Sequence, residues 1–432
     1  MRLGGAFGCL ARVPTARPPW PAATLVVLTG LNLCNYLDRY VLPAVLAPIE
    51  RDFRLTDGQA GILLNAFMLG YFATSPFFGY LGDRLPRKWL VAAGVLVWCA
   101  GTILSSCAHG YLSLLCFRLV IGFGEASYGT ASPAWIADLY VPARRNLALS
   151  VFYLATPVGS ALGFIVGGAV AAHFGWRAAF LCAGLPGLAL AGALTALREP
   201  ERGGLDPAAP AAAPATFGLA AFTGLFAYPE YRLVVAGYAA QTFALGAFAN
   251  WAGPFLQRAH GLSLAAADRF FGLAIVVTGL AATALGGLGA SAWQRRSPAG
   301  YAWVLALSAA AAIPFSFAAF LCRQLAPAQV CLVGAMFLLF LSTGPVNTLI
   351  LETVPAARRA SAMAVAIFTI HAAGDLWSSS LVGLLSDHFG DLRRAVLWTL
   401  PEAIAACAVC WALLVAHQRR GRGGPELPAG GA

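Results

Sequence analysis

Asp38 and Arg39 stand side by side in an apolar run that starts near residue 22. Helical geometry places them roughly 24 Å from its beginning, close to mid-membrane, at about 1.5 Å per residue. Arg118 and Glu125 lie seven residues apart in a second apolar run. That is two helical turns on one face, with Gly122 between them leaving room beside the backbone. His371 and Asp375 are one turn apart in a third run. A charge in the hydrocarbon centre costs about 2.5–3.5 kcal/mol on insertion scales and normally faces a cavity or a partner. A carboxyl held between an apolar wall and an arginine is poised between its two protonation states, so Asp38 and Glu125 are candidate proton carriers. Arginine keeps its charge and offers a planar fork of donors; Arg39 and Arg118 either balance those acids or hold an anionic substrate. An inert ion-pair cluster tying two helices together is the plainer alternative, although two acids and two arginines at similar depth exceed what packing needs. For His371 and Asp375 the competing reading is a local capping pair.

The elements that must position these residues are membrane helices. The chain has 432 residues, 59% hydrophobic and only 11% charged, with a mean hydropathy of +0.73. Soluble domains carry about a quarter charged residues, so this chain cannot cover a water-facing surface. Apolar runs of roughly the 20 residues a bilayer requires recur along its length. They predict an all-α membrane protein with twelve transmembrane segments near 22–49, 57–82, 88–108, 111–140, 146–172, 177–197, 230–257, 265–292, 299–322, 327–353, 360–386 and 393–417.

Loop arginines set the orientation. Eighteen basic residues fall on the side of the two termini, and eight (Arg51, Arg54, Arg177, Arg258, Arg269, Arg323, Arg393 and Arg394) on the other. The positive-inside rule then puts both termini in the cytoplasm. The two halves also echo each other in register. Leu55-Thr56 returns as Leu262-Ser263, Gly79-Tyr-Leu-Gly82 as Gly286-Gly-Leu-Gly289, Val141-Pro-Ala-Arg-Arg145 as Val354-Pro-Ala-Ala-Arg-Arg359, and His173-Phe-Gly175 as His388-Phe-Gly390. Parallel repeats of this kind build transporters whose site lies between the halves at mid-membrane. The predicted organisation is a cytoplasmic tail 1–21, a six-helix half 22–197, a linker 198–229 with its Ala/Pro run, a second half 230–417 and a tail 418–432.

Several function classes drop out. The net charge of +10 sits in short basic pairs between apolar runs, without the basic face and stacking aromatics of a nucleic-acid binder. The ten cysteines are scattered; Cys407-x-x-Cys410 lies inside an apolar run and reads as helix packing rather than redox or metal chemistry. Gly122-x-Gly124 lacks a third glycine and a preceding strand, so it is no dinucleotide loop. No P-loop, nucleophile triad or zinc spacing occurs, so neither an enzyme nor a nucleotide-driven pump is expected, and no cofactor or metal. Arg2, Arg12 and Arg17 precede any acid, as in a transit peptide, but a basic cytoplasmic tail explains them as well. The single lysine, Lys88, and the Ala/Gly/Arg bias suggest a GC-rich, bacterial gene.

After the second segment the chain reads Gly79-Tyr-Leu-Gly-Asp83-Arg84-Leu-Pro-Arg87-Lys88. This resembles the loop signature of the major facilitator superfamily, and Arg118-x-x-x-Gly122-x-Gly124 resembles its fourth-helix motif. Pro86 replaces the usual glycine, Ala290 the acid of the second-half loop, and Phe164 the proline of the fifth-helix antiporter signature. Within that superfamily the chain is similar to the Spinster transporters. The likeness is carried by Asn35-Tyr-Leu-Asp38-Arg39-Tyr, Gly122-Phe-Gly-Glu125-Ala-Ser-Tyr128, Phe152-Tyr-Leu-Ala-Thr-Pro-Val-Gly-Ser-Ala-Leu-Gly163, His371-Ala-Ala-Gly-Asp375 and Gly383-Leu-Leu-Ser-Asp387.

The resemblance implies two pseudo-symmetric six-helix halves rocking about a cavity lined by segments 1, 4, 7 and 10. It also implies an amphipathic lipid cargo such as a lysophospholipid or a sphingosine-1-phosphate-like molecule, some members being proton-coupled. Coupling then falls on Asp38 and Glu125, with Arg39 and Arg118 beside them. Asp83, with Arg84, Arg87 and Lys88 and the loop arginines Arg144 and Arg145, is expected to latch the cytoplasmic side. Phe243, Phe248, Trp251, Phe337 and Phe340 are candidate cavity wall, joined by Tyr128, Asn347, His371 and Asp375. A monomer in the plasma (inner) membrane, with the lipid cargo, protons and membrane lipids as partners, is expected. The alternative is a proton-linked carrier for a sugar, an organic anion or a drug.

Overall fold

The computed structural model describes residues 21–200, 223–354 and 358–420, and their secondary structure is helical with no strand. The first group of helices is α1 (Pro21–Ala44), α2 (Leu46–Phe53), α3 (Asp57–Arg84), α4 (Arg87–Ser105), α5 (Tyr111–Leu139), α6 (Pro142–Phe174) and α7 (Trp176–Ala196). The second is α8 (Pro229–His260), α9 (Leu264–Gln294), α10 (Gly300–Leu321), α11 (Leu325–Phe340), α12 (Thr343–Glu352), α13 (Arg359–Ile370), α14 (Leu376–Phe389), α15 (Leu392–Leu397) and α16 (Leu400–Arg420). A single π turn, His371–Asp375, joins α13 to α14.

Ten helical stretches among the described residues are long and apolar enough to cross a membrane. α1 and α3, of 24 and 28 residues, have the length as well. α1 dilutes its apolar run with Asn32, Asn35, Asp38 and Arg39. Four expected segments are broken. The first changes direction at Val45 after Pro43. The tenth breaks between α11 and α12, where the Gln241 side chain donates to Leu339 O and Ser342 Oγ, both at 2.6 Å, and so satisfies backbone freed from the helix. The eleventh carries the π turn, and the twelfth breaks at Trp398 ahead of Pro401.

The repeated sequence motifs have a common physical basis. Thr56 caps α3, accepting from Gln59 N in a capping box, and Ser263 caps α9, accepting from Ala266 N. Gly175 and Gly390 end α6 and α14 with φ of +84° and +64°, angles that a side chain resists. Each pair therefore marks the same start or stop of a helix.

Packing runs mainly within the first group and within the second. α1 lies on α6 and α7, α5 on α3 and α4, and α16 on α8 and α10. Two long seams join the groups, α3 with α14 and α6 with α9. Both are tight at the end that carries Asp57, Gly175 and Asp387. Gly61 approaches the backbone of Ser379, and Gly383 that of Asp57, so closely that a Cβ on either would overlap it.

Candidate transport site

The charges from α1 and α5 meet, but they do not share one cavity wall. Arg39 Nε donates to Glu125 Oε2 at 2.8 Å, and Nη2 lies 2.8 Å from the same oxygen. The Arg39 guanidinium lies over the rings of Tyr36, Phe67 and Tyr71 at 5.1, 5.2 and 5.5 Å, a cation–π cradle that fixes its plane. Its side chain is 20% exposed, whereas that of Glu125 is fully covered. Arg118 and Asp38 are buried deeper, at 1% and 0% exposure. Arg118 also lies over Phe67, 5.0 Å from the ring centroid, within electrostatic range of both acids. Gly122 permits this depth: a Cβ there would sit 1.9 Å from Phe67 O.

The hydroxyl beside Asp38 can bond either protonation state of that acid. Thr102 Oγ1 lies 2.6 Å from Asp38 Oδ2 and 3.0 Å from Trp98 O. A hydroxyl carries one hydrogen and two lone pairs. An ionised Asp38 accepts that hydrogen; a neutral Asp38 donates to the hydroxyl oxygen, which passes its own hydrogen to Trp98 O. Asp38 Oδ1, Glu125 Oε1 and Arg118 Nε and Nη1 are buried without a hydrogen-bond partner among the described residues. Buried charges left this incompletely bonded weaken a fold.

On the far side of Arg39 lies a cavity of about 190 Å³ between α1, α3, α8 and the π turn. Tyr36, Arg39, Asn65, Asn250, His371 and Asp375 supply its polar lining. His371 Nδ1 is 3.0 Å from both Asp375 carboxylate oxygens. The one-turn pair thus sits on a π turn, a distortion frequent at functional sites, and it faces Arg39 from the second group.

The structure places the candidate wall residues elsewhere. Phe248 and Trp251 are core residues: Phe248 stacks on Phe320 at 5.6 Å, and Trp251 Nε1 donates to Ser379 O. Tyr128 is also core, its hydroxyl donating to Leu28 O at 2.7 Å and its ring packed on Trp98. Phe243 lines a separate apolar groove of about 720 Å³ with Arg232, Thr369 and Trp398. Phe340 packs against the core, Phe337 is half-buried on α11, and Asn347 donates to Thr343 O within α12. None of these seven lines the 190 Å³ cavity. Met68, Asn65 and Asn250 do, and their polarity was the one sequence signal that marked two of them.

The residues expected to form the loop latch divide in a similar way. Arg87 pairs with Asp138 at the end of α5. The backbone N–H groups of Arg87 and Lys88 donate to the Glu199 carboxylate at 2.9 and 3.1 Å. Pro86 offers α4 no capping side chain, so Glu199 fills the role from a distance. Lys88 Nζ donates to Thr195 O and Leu197 O at the end of α7. These contacts bind α4 to α5 and α7 inside the first group. Arg84 and Arg144 are exposed, and the side chains of Asp83 and Arg145 lie outside the described residues.

At the opposite end stands a latch between the groups. Arg258 of α8 donates to both Asp57 oxygens at 2.7 and 2.8 Å and to Glu50 at 2.7 Å. The Asp387 carboxylate accepts from the backbone N–H of Asp57 and of Gly58, each at 2.8 Å, an anion set on a helix N-terminus. Ser386 donates to Asp57 as well. Burial pushes Glu50, in the short α2, up to about 7, with Arg258 opposing.

Residues 28–376 match the profile of the Major Facilitator Superfamily, and the chain belongs to that superfamily. It is 34% identical over 392 residues to protein spinster homolog 1 of Mus musculus, covering 86% of this chain and 73% of that protein. It is 32% identical over 410 residues to the sphingosine-1-phosphate transporter SPNS2 of Danio rerio, covering 90% and 81%. Within the superfamily it is therefore a member of the Spinster family. The fold superposes with a TM-score of 0.81 on a bacterial homologue of the human lysosomal transporter Spinster in an inward-facing, unoccupied conformation. That structure is 25% identical, with 93% of this chain and 96% of the other aligned.

Proposed function

We propose that the chain is a proton-coupled, alternating-access transporter of an amphipathic lipid such as a lysophospholipid or sphingosine-1-phosphate. The observation that carries this reading is the layered order at the site: of the four charges from α1 and α5, Arg39 lines the cavity while Glu125 and Asp38 stand behind it. An anionic or zwitterionic head that binds Arg39 competes with Glu125 for the same guanidinium. Glu125, released, takes up a proton, and Asp38 with Thr102 provides a second carrier. The 190 Å³ volume suits a head group rather than a whole lipid, since ligand pockets run to about 300–1,000 Å³; the tail is left to the apolar surroundings. The phosphate of the zebrafish relative's named cargo is the kind of head group that a guanidinium fork binds.

In this reading α1, α3 and the ten apolar stretches make twelve membrane helices in two related halves, 22–197 and 230–417, joined by the linker 198–229. Both termini lie in the cytoplasm, the protein acts as a monomer in the plasma (inner) membrane, and the Asp57 end faces outward. Closure at that end makes the conformation inward-facing. Uptake of labelled lysolipid by purified protein in liposomes, with and without a pH gradient, tests the proposal. Gradient-stimulated uptake is expected, with competition by unlabelled lysolipid and none by sugars or organic anions. Competition by a water-soluble solute with no effect of lysolipid would move the assignment to that solute class.

A further inference from the structure

Asp268, on the second turn of α9, is used by none of the chemistry above. It is 1% exposed, and neither carboxylate oxygen has a hydrogen-bond partner among the described residues. It lies in the seam between the two groups of helices. On the α6 side a Cβ at Gly168 would come 2.4 Å from Oδ2, so only glycine leaves room for the carboxyl. On the α8 side a Cβ at Gly253 would stand 3.7 Å from Oδ1. One turn further along, Phe271 packs edge-on against Phe164 at 5.2 Å, and Gly272 abuts Ala161 O. These contacts seal the carboxyl from the membrane-centre side.

Among the described residues no charged group faces it. Arg258 of α8 is turned to Glu50 and Asp57, and His260 stands against Phe255. Arg269 of α9, His173 of α6 and Glu352 of α12 are exposed. Cys331 of α11 lies beside Cys322, and Tyr301 of α10 packs in a different cluster. A carboxylate with neither counter-charge nor hydrogen bond is far costlier to bury than a neutral acid. A purely structural role would call for an apolar side chain of the same size.

We propose that Asp268 is a proton-binding site of the α6–α9 seam, loaded while the seam is closed and emptied when the two helices part. Parting exposes the carboxyl to water, where it ionises in the ordinary carboxylate range. The proton is taken from and returned to the aqueous phase at the Asp57 end; no covalent bond to a substrate is involved. This site rests on the alternating-access reading above. It adds to the Asp38–Glu125 carriers a proton bound on the second half, at the seam rather than in the cavity. Closing the seam then consumes a proton, and acid favours the closed form.

The test is a distance across the seam. Spin labels at His173→Cys and Ala265→Cys, with Cys107, Cys116 and Cys182 replaced by serine, are read in full-length protein in nanodiscs between pH 5 and pH 8. With Asp268 intact, the ratio of parted to closed molecules rises with pH, by up to about tenfold per unit for one linked proton. Asp268→Asn, which stays neutral, and Asp268→Ser, which is small enough for the same space, each lose one proton's worth of that slope. A Glu50→Gln control removes the latch's own contribution. A ratio that does not change with pH, or variants that keep the full slope, would overturn the site. The distances require no lipid, so the two readings can fail separately. Lost slope in a protein that moves no lysolipid supports this site and sinks the proposed cargo; intact slope with normal uptake does the reverse.

Discussion

Two charged clusters of similar size sit at different depths. The latch at the Asp57 end sets Glu50, Asp57 and Asp387 against Arg258 and a helix N-terminus, and every carboxylate oxygen but Glu50 Oε1 is bonded. The cluster between α1 and α5 sets Asp38 and Glu125 against Arg39 and Arg118, yet two carboxylate oxygens and two guanidinium nitrogens go without partners among the described residues. The first arrangement resembles an interface, in which each charge is bound to something that moves away when the interface opens. The second resembles a site whose charges are held for another occupant. Saturation separates a charge that fastens from a charge that works, and the contrast can be attacked from either side.

The largest effect is expected at Arg39. Arg39→Ala leaves Glu125 buried beside no direct partner, a change of about 3–5 kcal/mol for a broken buried pair. Transport in liposomes should fall by about 100-fold or more, with a lower unfolding temperature. Arg39→Lys keeps the charge but not the fork and should recover stability better than transport. If Arg39→Ala transports normally, the cluster between α1 and α5 is a fastening too, and the contrast is void.

Glu125→Gln comes next. It removes the ionisable oxygen and keeps the shape, so gradient-driven uptake should drop about tenfold or more while lipid exchange without a gradient persists. At the latch, Arg258→Ala frees two acids at a partly exposed site. Partly exposed pairs are worth about 1 kcal/mol, so spin-label distances between α3 and α14 should shift the open-to-closed ratio about 5- to 10-fold, with binding at Arg39 unchanged.

The smallest effect belongs to Glu50. Its closed-state value of about 7 lies above the ordinary carboxylate range, so this group favours closure below that range, and the advantage is lost as pH rises towards 7. Glu50→Gln should therefore flatten the pH dependence of latch opening between about pH 4.5 and pH 7, with less than a twofold change in transport rate at pH 7.5.

Much of this contrast was legible in the residues themselves. Charges are so rare within the apolar runs that Asp38, Arg39, Arg118 and Glu125 announce a site, and Thr56, Ser263, Gly175 and Gly390 mark helix ends by their chemistry. What could not be read was rotation. A membrane helix is apolar on its lipid face and on its packed face alike, so Phe248, Trp251 and Tyr128 gave no hint that they point into the core. The depth order behind Arg39 follows from Gly122 drawing α5 against Phe67, a contact between distant parts of the chain. Glu199 capping α4 and Asp387 capping α3 are also long-range pairings, and neither has a local spacing to betray it. The π turn at His371–Asp375 keeps the one-turn pair together but could not be told from an ordinary helix.

The claim that the partly bonded cluster carries protons for lipid movement is tested most directly by following protons themselves. Liposomes holding the protein and a trapped pH-sensitive dye are given lysolipid outside, with no imposed gradient. The account predicts a lysolipid-dependent change of internal pH in the unaltered protein and none with Asp38→Asn plus Glu125→Gln, although that protein still exchanges lipid. Lipid entry without proton movement in the unaltered protein, or undiminished proton movement in the double variant, would contradict it.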